Sequence, residues 1–122
     1  MKQLVFLSYD LGIHGDYTNL YKWLDDHEAS ECGDSFCKFR YEFTSVTEDT
    51  SNEDTHKMIE ELRLDIKSSI NISGTDRFYV VSEMFYNGQK KMIGTFIYGR
   101  RKQSNPWEGA SNKEDYQQIL DE

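Results

Sequence analysis

Leu4-Val5-Phe6-Leu7-Ser8-Tyr9-Asp10-Leu11-Gly12-Ile13-His14-Gly15-Asp16-Tyr17 is the stretch around which the rest of the chain must arrange itself. From Gln3 to Tyr9, Leu4 and Phe6 fall on one side of an extended chain and Val5, Leu7 and Tyr9 on the other. Both sides are apolar, which is the pattern of a central strand covered on two faces. Asp10 ends the apolar run. A loop with two glycines carries His14 and Asp16, and Asp16 is placed to cap the helix that follows. A buried strand that delivers a carboxylate to the end of a sheet is a place where a small α+β protein can keep a site.

Working outward, Tyr17, Leu20, Tyr21, Leu24 and Glu28 share a helical stripe with Trp23 and His27 on its flank. This helix is expected to end near Ser30, with Gly33 as its stop. Ser35 to Thr44 alternates as a strand with one wet face: Cys37, Phe39, Tyr41 and Phe43 against Lys38, Arg40 and Glu42. Ser45 to Asp54 is polar and acidic and reads as loop, with a short strand at its start as the alternative. A second helix starts at a cap on Ser51 or Asn52, with Thr55, Ile59, Leu62, Ile66 and Ile70 at core spacing and Met58 beside them. Arg77 to Tyr86 and Lys90 to Arg100 flank Asn87-Gly88, the strongest short hairpin signal, because both residues tolerate the positive φ of a type I′ turn. Phe78, Val80 and Met84 oppose Tyr79, Val81 and Phe85; Met92, Phe96 and Tyr98 oppose Ile93 and Ile97. The Ser111/Glu114 pair is a capping box for a short C-terminal helix to about Leu120.

At 122 residues this is one domain, 1–122. Eight Tyr, seven Phe and two Trp exclude a disordered chain despite the charge content. No apolar run reaches the roughly 18 residues that span a bilayer. The first apolar run is short and lacks a small-residue cleavage site, so a cytoplasmic location is expected. Cys32 and Cys37 fit that setting as reduced thiols, since a zinc site usually needs four ligands. Net charge is −8, unfavourable for nonspecific binding of nucleic acid. The charge is uneven: Asn87 to Gln103 holds Lys90, Lys91, Arg100, Arg101 and Lys102 and no acid. This strip is either an edge strand guarded by lysines or a surface for phosphate or an acidic partner.

Two helices cover one face of a sheet, yet three strands are apolar on both faces. The second face needs a cover, supplied by the Trp107 tail, by a second copy of the chain, or by both. A homodimer joined through the sheet face, the edge of the last strand, or both is therefore expected.

Tyr9-Asp10-Leu11, the Gly15-Asp16-Tyr17 before the first helix, and Leu20-Tyr21 with Leu24 resemble the small ferredoxin-like proteins of the SinR-like group. These are relatives of the CRISPR-associated adaptation-subunit nucleases and the VapD toxin ribonucleases. Trp107-Glu108-Gly109-Ala110-Ser111 before an acidic segment resembles that group's tail. The resemblance implies a homodimeric ferredoxin-like sheet of four to five strands, with two helices on one face, in a prokaryotic defence or toxin-like setting. One departure stands out: the group has two strands between its helices, and here only Ser35 to Thr44 is clear. In the nuclease members the acid ending the first strand is paired across the dimer axis and holds a divalent metal. That acid is Asp10 here.

Two Asp10 carboxylates meeting at a dyad would suit one Mg²⁺, an oxygen-loving ion that keeps several waters. The ion would activate water against a phosphodiester, with Ser8 positioning Asp10 and His14 as general base. The favoured reading is against this: Asp10 is a strand-end acid capping loop amides, His14 an exposed loop residue, and Asp16 only an N-cap. No nucleophile motif, phosphate-cradling glycine loop or His-Cys zinc set is present. The expected function is a homodimeric non-enzymatic scaffold or regulator. The alternative is a metal-dependent endonuclease acting on RNA or DNA through Asp10, with the Lys90–Lys102 strip on the nucleic acid. An acidic mimic of nucleic acid is a third reading.

Overall fold

The computed structural model describes residues 1–46, 54–86, 89–100 and 105–111. In chain order it holds β1 (Lys2–Asp10), α1 (Tyr17–Asp26), β2 (Ser30–Gly33), β3 (Phe36–Glu42), α2 (Asp54–Ser69), β4 (Arg77–Tyr86) and β5 (Gln89–Tyr98). The strands form one antiparallel sheet in the order β2-β3-β1-β4-β5. Each helix carries the chain across one strand position: α1 leads from β1 to β2, leaving between them the place that β3 then fills, and α2 leads from β3 past β1 to β4. The two-sided β1 thus sits in the middle of the sheet, as its apolar pattern requires.

Alternation decides the core. Val5 and Leu7 pair with Phe39 and Cys37 on one flank, and Leu7 and Tyr9 pair with Val80 and Phe78 on the other. All are buried, together with Leu20, Trp23 and Leu24 of α1 and Met58, Leu62 and Ile66 of α2, in one cluster. Each such side chain removed from water contributes about 1.5–3 kcal/mol. Trp23, expected on the flank of α1, is in this core because α2 packs along α1 and gives the helix a second apolar neighbour. Ser82 lies in the same layer, fully buried, and its hydroxyl donates to the Leu4 carbonyl at 2.8 Å, so burial leaves no polar group unpaired there.

Three sequence expectations change. First, α1 ends at Asp26, not near Ser30. The Ala29 N–H donates to the Leu24 carbonyl and the Glu28 N–H to that of Asp25, while Glu28 adopts φ +55°. This is the left-handed C-terminal stop usually made by glycine, here made by a glutamate. Second, a second strand does lie between the helices, but before the clear one rather than after it. β2 is four residues long and wholly exposed, with a register irregularity between Glu31 and Gly33. Nothing in Ser30-Glu31-Cys32-Gly33 alternates, so no period announces it. Third, the β4–β5 register shifts between Phe78 and Tyr79. The extra residue turns Tyr98 towards the helices, where its hydroxyl donates to the Arg63 carbonyl at 3.0 Å, instead of onto the face of Met92 and Phe96.

The hairpin pairing runs out to Tyr86↔Gln89. The Asn87-Gly88 turn, the Ser51/Asn52 cap and the C-terminal helix expected after Ser111 lie outside the described residues. Trp107 is 69% exposed. Among the described residues no helix is long and apolar enough to cross a membrane.

A left-handed non-glycine residue costs about 1–2 kcal/mol, partly offset by the extra chain entropy glycine brings to the unfolded state. Glu28→Gly is therefore expected to stabilise the fold by about 0.5–1 kcal/mol, read as a higher midpoint in urea unfolding with an unchanged slope.

Candidate functional site

The C-terminal end of β1 is the first place to look. Asp10 is exposed there and ion-paired with Arg77, its register partner on β4. Ser8, Tyr79 and Phe96 join this pair around an open cavity of about 330 Å³ on the face of the sheet away from the helices. The cavity exists because Ser8 is small and stands opposite Tyr79. Arg77 was not among the sequence candidates, although an arginine opening a strand opposite a strand-end acid is a legible pairing once the register is known. A carboxylate held by a guanidinium is neutralised before any metal arrives.

His14 stands on the exposed part of the loop beyond Asp10. The loop is pinned from below by Asp76, whose side chain is buried. One carboxylate oxygen of Asp76 accepts from the Gly12 N–H at 2.9 Å and the other from the Ser73 N–H at 2.8 Å. Gly12 is required at this crossing, because a Cβ there would collide with the Thr75 hydroxyl. Asp16 does more than cap α1. It accepts from the Asn19 N–H at 3.3 Å and the Asn19 side-chain amide at 2.8 Å, and also from the Asn71 N–H at 2.9 Å beyond the end of α2. The Asn71 N–H, then the Asn19 amide, hold the Asp16 carboxyl below the usual carboxylate range. The acids around this loop therefore tie two connections together. Asp10 alone of them faces the open side of the sheet.

The basic strip is divided by the fold. Lys90 and Lys91 lie near the start of the edge strand β5 and Arg100 just beyond its end, roughly 30 Å away at the usual strand rise. Lys90 faces Glu83 at 3.8 Å. Arg101 and Lys102 lie outside the described residues. Among the described residues no three His, Cys, Asp or Glu side chains gather as a metal site. Cys32 is exposed and Cys37 buried, and both are free thiols. Burial pushes the Cys37 thiol up to about 11, away from the reactive thiolate.

A second polar cluster has no counterpart among the sequence candidates. Asp65 of α2 accepts from the Tyr41 hydroxyl at 2.5 Å and from the Trp23 indole N–H at 3.3 Å. His27 stacks on Trp23 with ring centroids 3.8 Å apart, and its Nδ1 meets the Trp23 carbonyl at 2.7 Å. Burial, and then the bond to Asp65, push the Tyr41 phenol far above its ordinary range, which suits a structural donor and not a proton carrier. The cluster locks α1, β3 and α2 together. Its residues are dispersed in sequence at 23, 27, 41 and 65, so no motif marks it.

The largest feature is the sheet face opposite the helices. Leu4 and Met92 are 37% and 62% exposed on it. Phe6 and Phe36 stack across β1 and β3 with centroids 5.9 Å apart and planes 16° apart. Tyr79 and Phe96 meet edge-on at 4.9 Å across β4 and β5. Phe36 is exposed, and Phe6, Tyr79 and Phe96 are half-buried. In comparison with known proteins, no family model, no curated protein and no solved structure matches the chain.

Glu61 adds a second acid-sensitive tie. Burial alone would raise its carboxyl, but donors from Ser45 and Thr44 outweigh that and hold it below its ordinary value. A carboxyl lowered in the folded state contributes stability that is present above its unfolded pKa near 4 and lost as pH falls through the folded value. Thermal midpoints are thus expected to hold between pH 7 and 5 and to fall below about pH 4. Asp16→Asn and Glu61→Gln should each flatten that fall in calorimetric scans.

Proposed function

We propose that the chain is a non-enzymatic binding module of ferredoxin-like build, a scaffold or regulator that works through the open face of its sheet. The uncovered face carries this proposal. Leu4, Phe36 and Met92 are exposed on it and Phe6 is half-buried, so large apolar side chains gather on one side of the molecule, as they do at interaction sites. The two interleaved crossovers around β1, with β5 added by a hairpin, support the ferredoxin-like build. The acids at the loop are absorbed by backbone amides, which favours a binding surface over a catalytic one. Homodimerisation then uses the outer edge of β5, ten residues long with β4 as its one neighbour in the sheet. Such an edge is a template for a second strand, and pairing there leaves the open faces of two copies side by side.

One observation favours the alternative, an Mg²⁺-dependent endonuclease: Asp10 and Ser8 share the cavity on the open face. Labelled RNA and DNA incubated with the protein and Mg²⁺ are expected to stay intact, with wild type and Asp10→Ala indistinguishable. Cleavage that chelator stops and Asp10→Ala abolishes would overturn the non-enzymatic reading. Light scattering should return the mass of two chains, and the mass of one chain at high concentration would remove the dimer.

A further inference from the structure

We propose that the open sheet face binds single-stranded nucleic acid, by base stacking on its two aromatic pairs and phosphate contacts from the cations between and around them. This rests on the proposal that the open face is the working surface, and it names the partner.

Charge separates this face from the rest of the molecule. By strand register its cations are Lys2, Lys38, Arg40, Arg77 and Lys90, and its acids are Asp10, Glu42 and Glu83. The four long strands therefore place a net positive face on a chain whose net charge is −8. All three acids are already engaged, Asp10 by Arg77, Glu83 by Lys90 and Glu42 by the Met1 ammonium at 3.1 Å. Lys2, Lys38 and Arg40 stand on the neighbouring strands β1 and β3 of the same face. A second copy laid on this face would bring like charge against like. A polyanion meets the complementary potential, while the strongly acidic remainder of the surface repels it and confines it to this side.

The rings say which polyanion. Phe6 and Phe36 present one platform and Tyr79 with Phe96 a second, two strand spacings or about 10 Å away. Between them Ser8 leaves the cavity of about 330 Å³, walled by Tyr79 and Phe96 and rimmed by Arg77. Tyr79 leans over Gly94, where a Cβ would collide with its hydroxyl, so this glycine is what lets the ring lie across β5. Two flat apolar surfaces separated by a pocket and bordered by Lys38 and Arg40 suit unstacked bases with their backbone alongside. A duplex keeps its base faces hidden and offers such a sheet nothing to stack on.

The test is fluorescence anisotropy with labelled oligo-dT and oligo-U 15-mers and a blunt 15-base-pair duplex, in chelator, at 50 mM and 200 mM salt. Saturable binding of a single strand, tighter than the duplex and weakened by salt, is expected. The dT and U arms distinguish DNA from RNA as the source. Phe6→Ala and Phe36→Ala should each weaken binding by about 5- to 150-fold, the range for loss of one stacked base. Lys38→Gln and Arg40→Gln should each lower the salt slope by about 1. Circular dichroism and thermal melts of every variant separate loss of the site from loss of the fold. Equal binding of duplex and single strand overturns the inference. So does binding that survives both Phe variants but is lost in Lys91→Gln or Arg100→Gln. No binding together with a Phe36→Asp variant that changes the dimer mass overturns it in favour of a second copy on the face, and the working-surface proposal survives. No binding and no mass change removes both.

Discussion

A central strand that is apolar on both sides has to be covered twice, and the rest of this molecule follows from how far that demand is met. Val5, Leu7 and Tyr9 are sealed under two helices with side chains from β3 and β4 beside them. Leu4 and Phe6, one residue out of phase, face the other way. Because side chains alternate strictly along a strand, no local adjustment can hide both sets at once. With two helices packed on one side, Leu4 and Phe6 are left on the side that carries no helix.

The polar residues nearest β1 serve that arrangement. Asp76 is buried and spends its carboxylate on two backbone amides from different loops, and Asp16 does the same for the start of α1 and the chain beyond α2. Backbone N–H groups in a loop that runs under neighbouring chain need acceptors, and a carboxylate supplies several at once. Asp65 holds Tyr41 and Trp23 in the same manner on the far side of α1. Asp76, Asp16 and Asp65 thus tie the fold together, while Asp10, the acid that ends β1, is paired with Arg77 on the open face.

Charge is distributed with the same sidedness. The chain is acidic, yet its open face carries more cations than acids, because the outward positions of β3 are Lys38 and Arg40 and the start of β4 is Arg77. The linear basic strip and the spatial basic face are different objects. Lys90 belongs to both, whereas Lys91 and Arg100 are placed by β5 at its two ends.

Periodicity makes β1, β3 and α2 legible, since each carries an apolar repeat that one backbone conformation can satisfy, and the Asn87-Gly88 pair between two apolar runs makes the β4–β5 hairpin legible. Asp16 as N-cap and the two-sided character of β1 were legible for the same local reason. Only the tertiary structure decided the rest. The exposed β2 has no pattern to announce it, and Glu28 takes a left-handed turn where glycine was the expected stop. The register shift that moves Tyr98 to the helix side is set by its partner strand. The pairing of Asp10 with Arg77, the burial of Asp76 and the gathering of Trp23, His27, Tyr41 and Asp65 join residues 4 to 67 positions apart. Local propensity reads neighbours along the chain; which distant residues meet is settled by strand order and register, and those come from burying β1.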